Sequence, residues 1–292
     1  MTNQDLYQQV TDQVLALMQS HGADWVKPWT GTGIPVNAST KAEYQGSNIL
    51  MLGMAAFARG YETPYWATYK QWQALGAQVR RGEQSTVGIF FKPVVKEDDD
   101  GNETAIPMIK AFRVFNADQV DGWEAPVVEG QGEAEVLEAA QTFVANTGAD
   151  IRHGSHGAFY VPDLDRISMP NRNAFTATPT STATEAYWST LLHEMGHWSG
   201  AAHRLARDLS GRFGSARYAG EELVAELTSA FLCAHLGISP TPRADHAQYL
   251  NHWVQKLSED KRAFLTAASA AQKAADYLRG LQPAEADIDQ AA

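Results

Sequence analysis

Apolar residues recur at helical spacing near the start of the chain: Leu6, Val10, Val14 and Leu17 share one face of residues 5–20, and Gly22 stops the run. Residues 48–59 repeat the pattern with Ile49, Leu52, Ala56 and Phe57. Thr63-Pro64 then leads an aromatic run, residues 65–72, into a short helix ended by Gly76. The period changes after that. Residues 87–95 are rich in β-branched and aromatic types and read as a strand. The acidic run 96–103 reads as a hairpin loop and residues 106–115 as the returning partner, with 116–122 closing the unit. Helices followed by an antiparallel sheet make this half α+β.

A stretch containing proline, glycine and acids, residues 123–132, reads as a linker. Helical spacing resumes over 133–146, with Val136, Leu137, Ala140, Phe143 and Val144 as its stripe. Residues 158–161 and 166–169 read as a hairpin around Asp163-Leu164-Asp165. Two apolar helices follow, the first led by the capping box Thr182-Ala183-Thr184-Glu185 and the second running from Glu221 to Leu236. Residues 243–257 and 259–278 read as closing helices. The chain is thus expected to be α+β with two domains: 1–122 with an antiparallel sheet, linker 123–132, and a mainly helical 133–282 with a small sheet. Residues 283–292 form a polar tail.

The first apolar helix contains His193-Glu194-Met195-Gly196-His197, an H-E-x-x-H sequence. Residues four apart share a helix face, so the two imidazoles can hold one ion. Glu194 then sits beside the water that completes the coordination sphere, as in zinc hydrolases. The bland alternative, two satisfied histidines without metal, conflicts with the apolar flanks Tyr187, Trp188, Leu191, Leu192, Met195 and Trp198. Burying such a polar triplet unpaired is expensive.

A catalytic metal of this class needs a third protein ligand, and two candidates stand in the sequence. His203 completes H-E-x-x-H-x-x-G-x-x-H with Gly200, the metzincin spacing, but no methionine follows Met195 to make the expected turn. Glu222 and Glu226, four apart on the next helix, resemble the second zinc helix of thermolysin-like enzymes. There the first acid is a ligand and the second supports a histidine. The missing methionine favours Glu222 as ligand and Glu226 as outer support. Tyr218 and His203 are candidates for a second electrophile.

A net charge of −11 over 292 residues offers no global field for nucleic acid. Locally the balance differs. Residues 59–95 carry Arg59, Lys70, Arg80, Arg81 and Lys92 against Glu62 and Glu83, interleaved with Tyr61, Tyr65, Trp66, Tyr69, Trp72, Phe90 and Phe91. Rings beside cations suit single-stranded nucleic acid, where bases stack and phosphates are neutralised. An aromatic core with a charged rim explains the same composition. The lone Cys233 excludes a disulfide within the chain and suits a reducing, cytoplasmic setting. The start lacks the pattern of a signal peptide, and no stretch has the length of a membrane helix, so no membrane partner is expected.

Several runs carry a resemblance. These are W-V-K-P-W at 25–29, Pro35 with Asn37, Tyr44 with Gly46 and Asn48, T-Y-K-Q-W at 68–72, L-G-A-Q-V-R-R-G-E at 75–83 and V-F-N-A-D-Q-V at 114–120. The second half continues with Tyr160 and Pro162, D-R-I-S-M-P at 165–170, L-L-H-E-M-G-H-W-S-G at 191–200, Arg204-Leu205, E-E-L-V-A-E at 221–226 and Q-Y-L-N-H-W at 248–253. Together they resemble ArdC-type antirestriction proteins over nearly the whole chain. The resemblance implies a single-stranded-DNA-binding first domain and a zincin-like metallopeptidase second domain. It also implies carriage on conjugative plasmids and protection of incoming DNA from restriction. On it, Trp25, Lys27, Trp29, Tyr44, Asn48, Tyr65, Trp66, Tyr69, Lys70, Trp72, Arg80, Arg81 and Lys92 are the expected DNA-contacting residues. Glu194 is the expected catalytic base. His193, His197 and Glu222 would bind one zinc ion, and other divalent transition metals fit the same set. The partners expected are single-stranded DNA and a protein or peptide substrate. A DNA-coating protein with a structural or vestigial metal site, and a metalloprotease effector acting on a host protein, are the alternatives.

Overall fold

The first helix, α1 (Asn3–His21), buries Val10 and Val14 of the stripe its spacing predicts, with Met18 beside them, while the side chains of Leu6 and Leu17 lie outside the described residues. The computed structural model describes residues 3–21, 33–97, 103–126, 133–177, 181–211, 215–238 and 246–283. Trp25, Lys27, Trp29, most of the acidic loop and nearly all of the polar tail lie outside the described residues. The chain divides into two compact units, Met1–Glu129 with Pro242–Ser269 and Gly130–Thr241 with Ala270–Ala292.

In the first unit a short strand β1 (Val36–Asn37) precedes α2 (Ser47–Arg59), which stops at Gly60, a residue with φ 67°. Next come β2 (Tyr65–Ala67), α3 (Tyr69–Ala74) and β3 (Gln78–Val79). Thr68 and Gln71 form a reciprocal capping box that starts α3 directly after β2. The strands expected from the β-rich runs are β4 (Thr86–Glu97) and β5 (Glu103–Asn116), followed by β6 (Val120–Asp121). One sheet has the order β1-β2-β5-β4, parallel at β1-β2 and antiparallel elsewhere, and β3-β6 makes a two-stranded partner. Trp66 and Trp72 fill the core. The Trp72 indole donates to the Phe115 carbonyl at 3.0 Å, so its one polar atom is satisfied inside.

The second unit opens with α4 (Glu133–Asn146) and a three-stranded sheet of β7 (Asp150–His153), β8 (Phe159–Val161) and β9 (Arg166–Met169). The expected hairpin is β8-β9. β7 adds to it in parallel, giving the order β7-β9-β8 with β8 at an edge. The two long helices are α5 (Ala183–Ser199) and α6 (Ala216–Leu236). Thr182 and Glu185 cap α5 reciprocally, as their spacing predicts.

The closing helices are α7 (His246–Glu259) and α8 (Ala263–Gly280). The sequence-based boundary groups all of α7 with the second domain. In the structure residues 242–269 fold with the first unit. There α7 packs on α1, burying Trp253 and Leu257, and the Thr11 hydroxyl donates to the Lys261 carbonyl at 2.9 Å. The α1 stripe needs an apolar partner, and residues distant in sequence supply it.

Candidate functional site

Helices α5 and α6 approach closely where Gly196 meets Ala225. A Cβ at Gly196 would lie 3.0 Å from the Ala225 Cα, so only glycine permits this separation without displacement. Gly196 adjoins His197. Ala225 lies between Glu222 and Glu226. The close contact therefore brings both imidazoles of H-E-x-x-H against the carboxylates of the second helix.

The result is a compact donor set. One nitrogen from each of His193 and His197 and one oxygen of Glu222 lie within 4.8 Å of one another. His193 Nε2 is 3.4 Å from Glu222 Oε2, and His197 Nε2 is 3.3 Å from Glu222 Oε1. The outward nitrogens are held as well. His193 Nδ1 is 3.3 Å from Glu226, and His197 Nδ1 is 3.3 Å from Glu221. Both imidazoles thus present Nε2 inward while a carboxylate fixes the ring from behind, the arrangement that orients metal-binding histidines. Glu194 is 2% exposed and Glu222 5% exposed. So many buried carboxylates demand positive charge, and a divalent cation fits the set.

Arg207 supplies part of that charge. It forks onto Glu221, with Nη2 2.8 Å from Oε1 and Nε 3.1 Å from Oε2, and donates to Ser199 Oγ and the Gly196 carbonyl. Burial opposes charge on His197, but the Glu221 and Glu222 carboxylates outweigh it and lift its pKa to about 10 in the metal-free chain. Burial likewise opposes charge on Glu222, and the two imidazoles hold its pKa well below the usual carboxylate range. Glu221 is also lowered, against its burial, by His197 and Arg207. Neither Glu221 nor Arg207 was singled out in the sequence. Glu221 carried a signal, an acid adjoining Glu222 on an apolar helix. Arg207 carried none, since it lies 14 positions from its partner.

His203 is exposed, with Nε2 3.4 Å from Asp165 rather than at the donor set. Tyr218 stands one turn before Glu222 on α6, and its backbone N–H is capped by Ser215 Oγ at 3.1 Å. A second polar cluster braces the small sheet. The Arg204 guanidinium lies 3.7 Å above the Trp198 ring, donates to the Trp198 carbonyl and forks onto Asp165. The Tyr160 hydroxyl donates to Asp165 at 2.8 Å. Burial and then the Asp165 carboxylate push the tyrosine up to about 12, while Arg204 holds Asp165 low. The turn between β8 and β9 is thereby tied to the end of α5.

In the first unit the expected DNA-contacting residues separate by burial. Trp66 and Trp72 are fully buried core residues and offer no ring face to a base. Asn48 is spent on β4, donating to the Ile89 carbonyl at 2.7 Å and accepting from its N–H at 2.8 Å. Tyr65 packs edge-on against Trp123. Tyr44 stacks on Phe112. Tyr69 is exposed, as are Lys70 and Arg81. Tyr69, Arg80 and Arg81 line an open cleft of about 500 Å³ with Gln78 and Phe115. Arg80 is engaged by Glu83, Asp121 and the Asp118 carbonyl. Lys92 stands in β4, and its side chain lies outside the described set.

Comparison with known proteins assigns the two halves of the sequence to two families. Residues 4–115 match the N-terminal domain of anti-restriction factor ArdC, and residues 138–270 match a zincin-like metallopeptidase family. The protein y4eC of Sinorhizobium fredii is 44% identical over 96% of this chain and 94% of its own length. A DNA primase TraC of Escherichia coli is 36% identical over 93% of this chain, which spans only 27% of that longer protein. The crystal structure of antirestriction protein ArdC from plasmid R388, metal-free, superposes with a TM-score of 0.78 at 39% identity, covering 95% of this chain and 97% of that one. Its Mn(II)-bound form gives 0.77 at 37% identity, covering 94% and 97%. Among the described residues no helix is long and apolar enough to cross a membrane.

Proposed function

The chain belongs to the ArdC antirestriction family, and from that premise we propose that it joins a metal-dependent peptidase to a single-stranded-DNA-binding unit and protects incoming DNA from restriction. The observation that carries the enzymatic half is the buried set His193, His197 and Glu222 with Glu194 one residue from the first ligand. Zinc suits two imidazoles and a carboxylate, and when bound it would polarise a peptide carbonyl and acidify a water. Glu194 takes the proton of the attacking water and delivers it to the leaving amine. Glu226 and Glu221 hold the two imidazoles in the tautomer that leaves Nε2 free for the ion. Among the described residues β8 pairs with β9 alone, so its other edge would offer backbone groups to an extended peptide. The Arg204–Asp165–Tyr160 brace holds that strand's turn against α5.

A DNA-coating role with a vestigial metal site is the rival reading. A purely structural site has no need of Glu194 and closes with a fourth protein ligand. The test uses the full chain carrying Glu194→Gln, with metal content measured first. Transfer of DNA into restricting and non-restricting recipients is then compared. Loss of protection with metal retained supports the peptidase. Full protection by Glu194→Gln leaves the DNA-coating reading.

A further inference from the structure

The β4–β5 ribbon sorts its residues by face. Directly opposed residues of an antiparallel pair share a face. The register Gly88↔Phe112 and Phe90↔Lys110 therefore puts Phe90, Lys110 and Phe112 on one side. Both strands are free of Asp and Glu from Thr86 to Lys96 and from Thr104 to Asn116. A chain of net charge −11 thus keeps these spans free of acid, and the strand period of two sets Lys110 on the face of Phe90 and Phe112.

The rings on that strip are arranged in advance. Tyr44 and Phe112 stack with centroids 6.2 Å apart and planes 11° from parallel, and Phe90 follows Phe112 at 6.1 Å. Phe112 lies flat across β4 because its partner is Gly88. A Cβ there would come within 2.3 Å of the ring. The Tyr44 hydroxyl accepts from Asn37 Nδ2 at 3.1 Å, which fixes the end of the row. Phe90 stays 43% exposed, and Lys110 is exposed opposite it.

Resting on the reading of the first unit as a single-strand binder, we propose that this face of the ribbon is where single-stranded DNA lies, a base stacked on the exposed Phe90 ring that Phe112 supports and a phosphate drawn to Lys110 opposite it. A duplex hides its base faces and cannot use the rings, whereas any unpaired base can. Phe90 acts by stacking and Lys110 by charge, so the two contributions separate experimentally.

The full-length protein is titrated against a labelled mixed-sequence single strand of about 20 nucleotides at several salt concentrations, beside a duplex of equal length. Phe90→Ala weakens single-strand binding about tenfold. Lys110→Gln lowers the salt slope by about 0.7. Arg81→Gln, in the cleft beside Tyr69, tests the rival surface. Unchanged near-ultraviolet circular dichroism establishes that each variant is folded. If Phe90→Ala and Lys110→Gln bind as the parent does while Arg81→Gln weakens, the ribbon assignment is overturned and the single-strand reading stands. If the parent binds no single strand, or binds duplex equally well, both fall.

Discussion

The α5–α6 pair and the β4–β5 ribbon solve opposite electrostatic problems. In the helix pair, ionisable groups are withdrawn from water and each is answered by a named partner: His193 by Glu226, His197 by Glu221, Glu221 by Arg207. On the ribbon, Phe90 and Lys110 stand in solvent, where charges are screened and each contact is weak. A buried constellation loses its function when one member goes, because the remaining charges are left uncompensated. An exposed strip loses affinity in steps, because its contacts are nearly independent. The two regions should therefore fail differently under substitution.

The largest effect is expected at Glu222. Glu222→Ala removes the only carboxylate of the donor set, and metal content should fall from about one equivalent to background by elemental analysis, with the single-strand affinity of the protein unchanged. A retained equivalent would show that another residue completes the set and would blur the contrast between the regions. Next comes Glu194→Gln, which should keep the metal while any peptidase activity drops about 10²–10⁴-fold, the range for loss of a general base. Equal losses of metal and activity would reassign Glu194 from proton transfer to metal retention.

Smaller effects are expected from the outer groups. Arg207→Met or Glu221→Gln should weaken metal affinity about 10–100-fold without abolishing it, read by competition with a chromophoric chelator. No change would make the Arg207–Glu221 pair a helix tie alone. The most diagnostic effect is on pH, and it needs no substitution. His197 in the metal-free fold has a pKa of about 10, above its unfolded value near 6.5. Its pairing therefore stabilises the metal-free protein fully below about pH 6.5, and that stabilisation is lost as pH rises through 10. Metal binding must displace the same proton, so affinity should rise by about tenfold per pH unit between pH 7 and 9. Thermal melts with and without metal should diverge as pH rises across that window. Parallel melts would mean that His197 is neutral before the ion arrives.

Much of this architecture was legible in the sequence, for local reasons. Helix period and caps are properties of neighbouring residues, so α2, α4 and α5, with the Thr182–Glu185 box, follow from the pattern. The β4 and β5 runs declared themselves by β-branched and aromatic content. The pairing of His193 with His197 needs only four residues of helix. Glu222 and Glu226 needed an analogy, because their approach to α5 is a tertiary event. What the sequence by itself determined is the set of groups able to hold a metal. What only the tertiary structure decided is their company. Glycine against Ala225 lets the helices close. Arg207 reaches Glu221 from another segment. Trp66 and Trp72 go to the core while Phe90 stays in water, a choice invisible in composition because a buried and an exposed ring are the same residue type. Likewise α7 leaves its sequence neighbours for α1, since burying apolar surface rewards contact in space without regard to order along the chain.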